Sequence, residues 1–266
     1  METLLSISLG LAAVSLLLTL ITHVAVAVVR RRPASALSGP GISVLKPLKG
    51  VDDELYENLA SFARQDYPEF ELLFGAEDPR DPALAIVERI RREFPNVRIR
   101  VFAGAPSVGL NPKVNNLRML AQRAAHDAIL ISDSNVRARS GYLTAMAAEL
   151  GDPSVGLVSS VIVGHGEQSL GARLDNLHMN SFVVRAVCGA DVLISHPCVV
   201  GKSMLLCASD LERLGGLGLV DNVLAEDYVL GRAFSDAGFR VALSPHAILS
   251  VGVHRSVGAF AARHLR

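Results

Sequence analysis

A chain of 266 residues, half of them hydrophobic, has material for one large domain plus a short additional segment. Its 26 basic residues cancel its 26 acidic ones, aromatic residues make up only 5%, and Trp is absent. That balance argues against a nucleic-acid partner, which calls for a basic surface and usually a stacking platform.

The stretch from Leu4 to Val29 carries no ionisable side chain except His23. About 20 apolar residues cross the hydrocarbon core of a bilayer, so residues 1–32 read as a transmembrane anchor. Arg30, Arg31 and Arg32 follow the run, and only Glu2 precedes it. The domain after it is therefore expected on the cytoplasmic side of the membrane. A cleaved signal peptide would carry its charge before a shorter apolar run. A buried soluble helix would show polar interruptions at a 3.6-residue period. Residues 33–41, rich in Pro, Ser and Gly, read as a linker, and residues 42–266 as the globular domain.

Within that domain short apolar runs alternate with amphipathic ones. Strands are expected at Ile42–Leu45, Glu71–Ala76, Val97–Phe102, Ala128–Ile131 and Val155–Ser160. Helices are expected at Glu54–Ala63, Ala83–Phe94, Val114–Ala124 and Gly141–Leu150. The alternation predicts an α/β fold with a mostly parallel central sheet and helices on both faces. In such sheets ligands sit beyond the carboxyl ends of the strands, and Asp78 and Asp133 both follow strand ends. The second half is less regular. It has a long helix at Leu170–Val187, a strand at Ser203–Cys207, a helix at Glu226–Ala237, strands at Arg240–Leu243 and Ile248–Val253, and a basic amphipathic helix at Val257–Arg266. Such a helix suits a membrane surface. Cys188, Cys198 and Cys207 form no C-x-x-C pair and read as reduced, buried thiols of a cytosolic protein.

Several polar groups stand out. Asp133 opens Asp133-Ser134-Asn135; with two diphosphate oxygens its carboxylate would suit Mg2+ or Mn2+, although the triplet is equally turn chemistry. Asp227, in Ala225-Glu226-Asp227-Tyr228, is the candidate general base, or an acidic residue favoured at a helix start. Asp78 is a candidate nucleotide contact, or an Asx cap in a Pro-rich turn. In Gly109 to Leu117, Lys113 and Asn115 are candidate donor-binding groups, or part of a capped polar loop. Arg263 and Arg266 share a helix face. With Glu226 they are candidates for gripping a phosphate or an acceptor, or they form an ordinary solvated face. Gly201-Lys202-Ser203 is not a phosphate-binding P-loop, because position 196 is His.

The order and wording of these stretches resemble the ceramide glucosyltransferases. The matching segments are Val44-Leu45-Lys46-Pro47-Leu48-Lys49-Gly50-Val51-Asp52, Asp66-Tyr67-Pro68, Asp78 with Asp81-Pro82-Ala83, Asn111 to Leu117, Asp133-Ser134, Gly201 with Ser203, and Ala225 to Tyr228. The resemblance implies a GT-A fold, UDP-glucose as donor, a membrane lipid, ceramide, as acceptor, and an inverting single displacement. It implies that Asp78 meets the nucleotide, Asp133 a divalent cation and the diphosphate, and Asp227 the acceptor hydroxyl. A hopanoid or other lipid acceptor, with UDP-N-acetylglucosamine or another UDP-sugar, is the alternative within enzymes. A non-catalytic nucleotide-sugar or lipid sensor is the alternative outside them. Two departures follow from the family pattern. Asp-Ser-Asn replaces Asp-x-Asp, leaving a metal one carboxylate. The Trp expected after Arg266 is missing, so the chain is expected to be truncated, with further membrane helices beyond it.

Overall fold

The computed structural model describes residues 2–32, 39–195 and 198–265. Residues 33–38 of the expected linker, His196 and Arg266 lie outside them. Helix α1 (Glu2–Arg30) is followed by β1 (Ile42–Leu48), α2 (Leu55–Ala63), β2 (Phe70–Ala76), α3 (Ala83–Glu93), β3 (Arg98–Ala103), α4 (Pro112–Ala121) and β4 (Ala128–Ser132). Then come β5 (Val136–Arg137), α5 (Tyr142–Leu150), β6 (Val155–His165), α6 (Leu170–His178) and α7 (Val184–Ile194). The chain continues through β7 (Ser203–Cys207), α8 (Ala208–Arg213), α9 (Glu226–Asp236), β8 (Arg240–Val251) and α10 (Val257–His264).

The eight strands among the described residues form one sheet in the order β3-β2-β1-β4-β7-β6-β8-β5. Four of its seven pairings are parallel, and the strands from β3 to β4 are parallel throughout. The strands β1, β2 and β4 are buried almost throughout, and their mostly apolar sequences follow from cover on both faces. Along β4, Ala128 and Leu130 enter one core with Phe62, Tyr142 and Met146. Ile129 and Ile131 enter the other, with Leu117, Leu120, Leu230 and Phe234. Alternation along the strand thus assigns α2, α3 and α5 to one face and α4 and α9 to the other.

The expected break between Leu243 and Ile248 is absent: β8 runs through it, with a register shift against β6 between Ser160 and Ile162. A bulge of this kind absorbs Pro245 without ending the pairing. The long helix expected to end at Val187 continues to Ile194, with a π turn at Met179–Val183 joining α6 to α7. Segments Thr3–Arg30 and Leu170–Ile194 are each long and apolar enough to cross a membrane. All three cysteines are free. Burial pushes the Cys207 thiol up to about 11, in keeping with an inert packed side chain.

Tyr142, from α5, bridges the adjacent strands β6 and β7. Its hydroxyl lies 3.0 Å from Ser160 Oγ on β6 and 2.8 Å from Ser203 Oγ on β7, and burial pushes the phenol up to about 12. Tyr142→Phe leaves both serines short of a partner and is expected to cost about 1–2 kcal/mol, read as a lower urea midpoint at unchanged slope in detergent micelles.

Candidate active site

The carboxyl ends of β1, β2 and β4 stop at one rim, where Leu48 pairs with Ala76. A cavity of about 640 Å³ opens there, lined among others by Lys49, Asp52, Asp78, Lys113, Asn116 and Asp133. Asp78 lies on its exposed outer side. Its Oδ1 accepts the backbone N–H of Arg80 at 2.8 Å, which together with the Arg80 guanidinium holds the carboxyl below its ordinary range. Neighbouring Asp81 is structural: it accepts from the N–H groups of Gly50 and Ala83, both at 2.8 Å.

The inner end of the cavity is densely charged. The α4 N-terminus is built by Asn111, whose side chain accepts from the N–H groups of Lys113 and Val114, with Pro112 in the first turn. This cap aims Lys113 inward. Its Nζ reaches Asp133 Oδ1 at 2.8 Å, Glu226 Oε1 at 2.7 Å and the Gly201 carbonyl at 3.0 Å, so all three ammonium donors are used. Lys202 takes the other oxygen of Asp133 at 3.2 Å and also donates to Asn135 Oδ1 at 2.8 Å. Burial works against charge on both Lys113 and Asp133. Their partners outweigh it, so the Lys113 pKa is raised and that of Asp133 lowered.

Asp227 does not line this cavity; it stands one layer behind the charge cluster. Its Oδ2 accepts the Gly201 N–H at 2.6 Å and its Oδ1 the Tyr228 N–H at 2.8 Å. A Cβ on residue 201 would meet Asp227 Oδ2 at 2.8 Å, so the close approach requires Gly201. Glu226 links the two regions through Lys113. Of the three separated aspartates, Asp78 and Asp133 therefore share one cavity, and Asp227 joins them through Gly201, Glu226 and Lys113.

One candidate turns away from the cavity. Asn115 faces its own loop: its Oδ1 accepts from Val108 and Gly109 and its Nδ2 donates to the Gly109 carbonyl. The adjacent Asn116 lines the cavity instead, and its Oδ1 is buried without a partner, a group poised for a ligand donor. Arg263 lies 3.7 Å from Asp175, which Arg255 approaches at 2.5 Å. Arg263 lines a smaller polar cavity with Asn176, Lys202 and Asn135, and Asn135 also borders the large one.

Three contributors are not singled out as site residues by the sequence, although Lys46 and Asp52 lie in the first segment that carries the resemblance. Lys202 belongs to the rejected P-loop string. Asp52 accepts a hydrogen bond from Ser134. Lys46, fully buried, donates to Ser132 Oγ at 3.0 Å and to the Asp133 carbonyl at 2.8 Å, with its ammonium 3.6 Å from the Phe62 ring centre. Burial pushes the Lys46 pKa well down, with the charge of Asp133 opposing.

Among the described residues no group of three or more His, Cys, Asp or Glu side chains is placed to hold a metal. Asp133, the carboxylate at the β4 end, has both oxygens paired with Lys113 and Lys202, so a Mg2+-type ion there would displace an ammonium group and take most of its oxygens from substrate phosphates and water.

The family described as glycosyl transferase family 21 matches residues 7–266. Ceramide glucosyltransferase 3 of Caenorhabditis elegans is 31% identical over 228 residues, covering 85% of this chain and 50% of that protein. The ceramide glucosyltransferase of Komagataella phaffii is 31% identical over 193 residues, covering 65% of this chain and 38% of that protein. The chain thus spans about half the length of the first of these relatives or less. In fold it resembles a mannosyltransferase from Pyrobaculum calidifontis in complex with GDP-Man and Mn2+, with a TM-score of 0.66 at 20% identity over 97% of this chain and 71% of that one. TarS from S. aureus gives a TM-score of 0.54 at 17% identity over 79% and 60% of the two chains. The architecture is the GT-A fold.

Proposed function

The chain belongs to glycosyl transferase family 21, and from that premise we propose that it transfers a sugar, glucose, from a UDP-linked donor to the hydroxyl of a membrane lipid, ceramide, with inversion. The observation that carries this reading is the charge cluster of Lys113, Asp133, Glu226 and Lys202, set between the cavity holding Asp78 and the carboxylate of Asp227. The relatives' names support glucose as the sugar and ceramide as the acceptor.

The donor enters the large cavity with its nucleoside toward Asp78 and its diphosphate toward Lys113 and Lys202. As the bond to the sugar breaks, the leaving diphosphate gains negative charge, and two fixed ammonium groups stabilise that charge without solvent reorganisation. Asn116 Oδ1 accepts a donor hydroxyl. Asp227 removes the proton from the acceptor hydroxyl as it attacks the anomeric carbon from the face opposite the diphosphate. Its two backbone hydrogen bonds fix the carboxylate's direction. A Mg2+ or Mn2+ ion would be held by Asp133 together with diphosphate oxygens, and when bound it supplies further neutralisation of the leaving group. Lys46, beneath the site, fixes the Asp133 backbone. Arg263, with Arg266 following it in sequence, receives the acceptor head beside the smaller cavity. In this reading helix α1 crosses the bilayer, and the excess of Arg30, Arg31 and Arg32 on its C-terminal flank favours the cytoplasmic side for the domain.

Labelled UDP-glucose and UDP-N-acetylglucosamine, incubated with membranes containing the protein and ceramide, test the reading by product mass. A hexosylceramide from UDP-glucose is expected; transfer only from the second donor, or only to another lipid, overturns the substrate assignment. Asp78→Ala is expected to raise the donor KM roughly tenfold with kcat little changed, since a contact to the nucleoside binds ground and transition states alike.

A further inference from the structure

We infer that the helix pair α6–α7 is a second membrane element, sunk into the cytoplasmic leaflet beside α1 and facing phospholipid acyl chains. The inference rests on α1 crossing the bilayer.

Helix α7 packs directly along the second half of α1. Gly189 lies so close to Thr22 that an added Cβ would meet its Cγ2 at 3.3 Å. Ala25 and Val29 are buried against Cys188, Val161 and Leu243. Arg32 closes the end of the pair by binding Asp191 at 2.5 Å and the Leu243 carbonyl at 3.4 Å. Toward the other end, Leu18, Thr19 and Thr22 share an apolar groove with Phe182, Arg185 and Ala186. The two helices therefore run side by side from Arg32 back to Leu18.

Length decides where the bilayer lies. The charge of Glu2 bounds the apolar run on that side, and from Glu2 to Leu18 α1 measures about 24 Å at 1.5 Å per residue. That is short of the roughly 30 Å of hydrocarbon a spanning helix must cross. The apolar run continues to Val29, so the hydrocarbon must reach past Leu18 into the part of α1 that α7 flanks. Phe182 and Ala186 then lie at or inside the hydrocarbon boundary. Their surroundings agree: Leu177 and Phe182 are 63% and 60% exposed, large apolar side chains that water would disfavour. The π turn at Met179–Val183 is pinned to the sheet by Asn180, which exchanges hydrogen bonds with the backbone N–H and carbonyl of Gly164 at 2.7 and 3.1 Å.

The opposite side of α6 carries Ala172, Asp175 and Asn176, which with Met179 of the π turn line the small polar cavity next to Lys202. One helix diameter, about 10 Å, separates acyl chains from that cavity. A lipid hydroxyl reaches the site without its tails leaving the leaflet.

Because the chain contains no Trp, single Trp variants report depth without background. The full chain would be reconstituted in phosphatidylcholine vesicles carrying bromines at shallow or deep acyl positions. Phe182→Trp is expected to emit at blue-shifted wavelength and to lose emission to shallow bromines. Leu9→Trp on α1 is expected to lose emission to deep bromines. Arg92→Trp, on the charged face of α3, is expected to emit as in water with no loss. A Phe182→Trp signal like that of Arg92→Trp, with Leu9→Trp still quenched, overturns this inference alone. An unquenched Leu9→Trp removes the membrane-spanning reading of α1 and this inference with it.

Discussion

Asp227→Asn is expected to lower kcat for sugar transfer by about a thousandfold while the affinity for UDP stays within a few-fold of the wild type. General-base catalysis contributes roughly 10²–10⁴ in rate, and an amide cannot take the acceptor's proton. UDP binding survives because Asp227 lies behind the charge cluster, outside the cavity. The amide does introduce one local conflict. Both carboxylate oxygens accept backbone N–H groups, from Gly201 and Tyr228, and one of them would face an NH2. Steady-state kinetics with titration calorimetry for UDP separate the two effects. A fall in kcat with unchanged UDP affinity supports the base assignment; a parallel loss of UDP binding indicates a displaced Gly201–Lys202 segment. Unchanged turnover removes Asp227 from the chemistry.

Lys113→Met is expected to weaken donor binding by about a hundredfold or more and to destabilise the domain by about 3 kcal/mol. Methionine fills similar volume but leaves Asp133 and the buried Glu226 with one shared counter-charge fewer, and it leaves the Gly201 carbonyl without its donor. Removing one partner of a buried ion pair typically costs roughly 3–5 kcal/mol, and partial solvent access at Lys113 argues for the lower end. Lys202 still reaches Asp133 at 3.2 Å, so the cluster loosens without collapsing. Thermal unfolding and UDP titration of Lys113→Met and Lys113→Arg together give the decisive pattern. Arginine keeps the charge and is expected to recover most of the stability but less of the donor affinity, because its planar fork does not reproduce three converging ammonium bonds. Equal donor affinity in wild type and Lys113→Met would exclude contact with the diphosphate.

Much of this architecture was legible in advance because its signals are local. The strand at Ser203–Cys207 and the helix start at Glu226 fall where apolar runs and acidic first turns place them. Asp78 and Asp133 follow strand ends, and a parallel sheet gathers strand ends at one rim. What escaped is what depends on pairing across the chain. The antiparallel direction of β7 leaves no trace in its sequence, since Ser-Met-Leu-Leu-Cys reads the same for either direction. Without that direction Lys202 has no reason to meet Asp133, and its string invited comparison with a nucleotide loop it does not form. Asn115 and Asn116 are neighbours of the same type, and only the helix phase fixed by Asn111 and Pro112 sends one into the loop and the other into the cavity. Lys46 lies just past the expected strand Ile42–Leu45, and its burial is not legible there, because burying a lysine needs Ser132, Phe62 and a carbonyl that no local pattern predicts.

The backward course of β7 makes the catalytic geometry a matter of alignment. Ser132 pairs with Ser203, and the Asp133 N–H donates to the Lys202 carbonyl at 3.0 Å. A departing strand and an arriving one thus bring their first loop residues face to face. Sliding β7 by one position would send every side chain on it to the wrong side of the sheet. Lys202 would turn away from Asp133, and Gly201 would no longer sit where Asp227 needs an absent side chain. Misalignment there would leave a folded but chemically silent protein, and the serine pair clasped by Tyr142 is the lock against it.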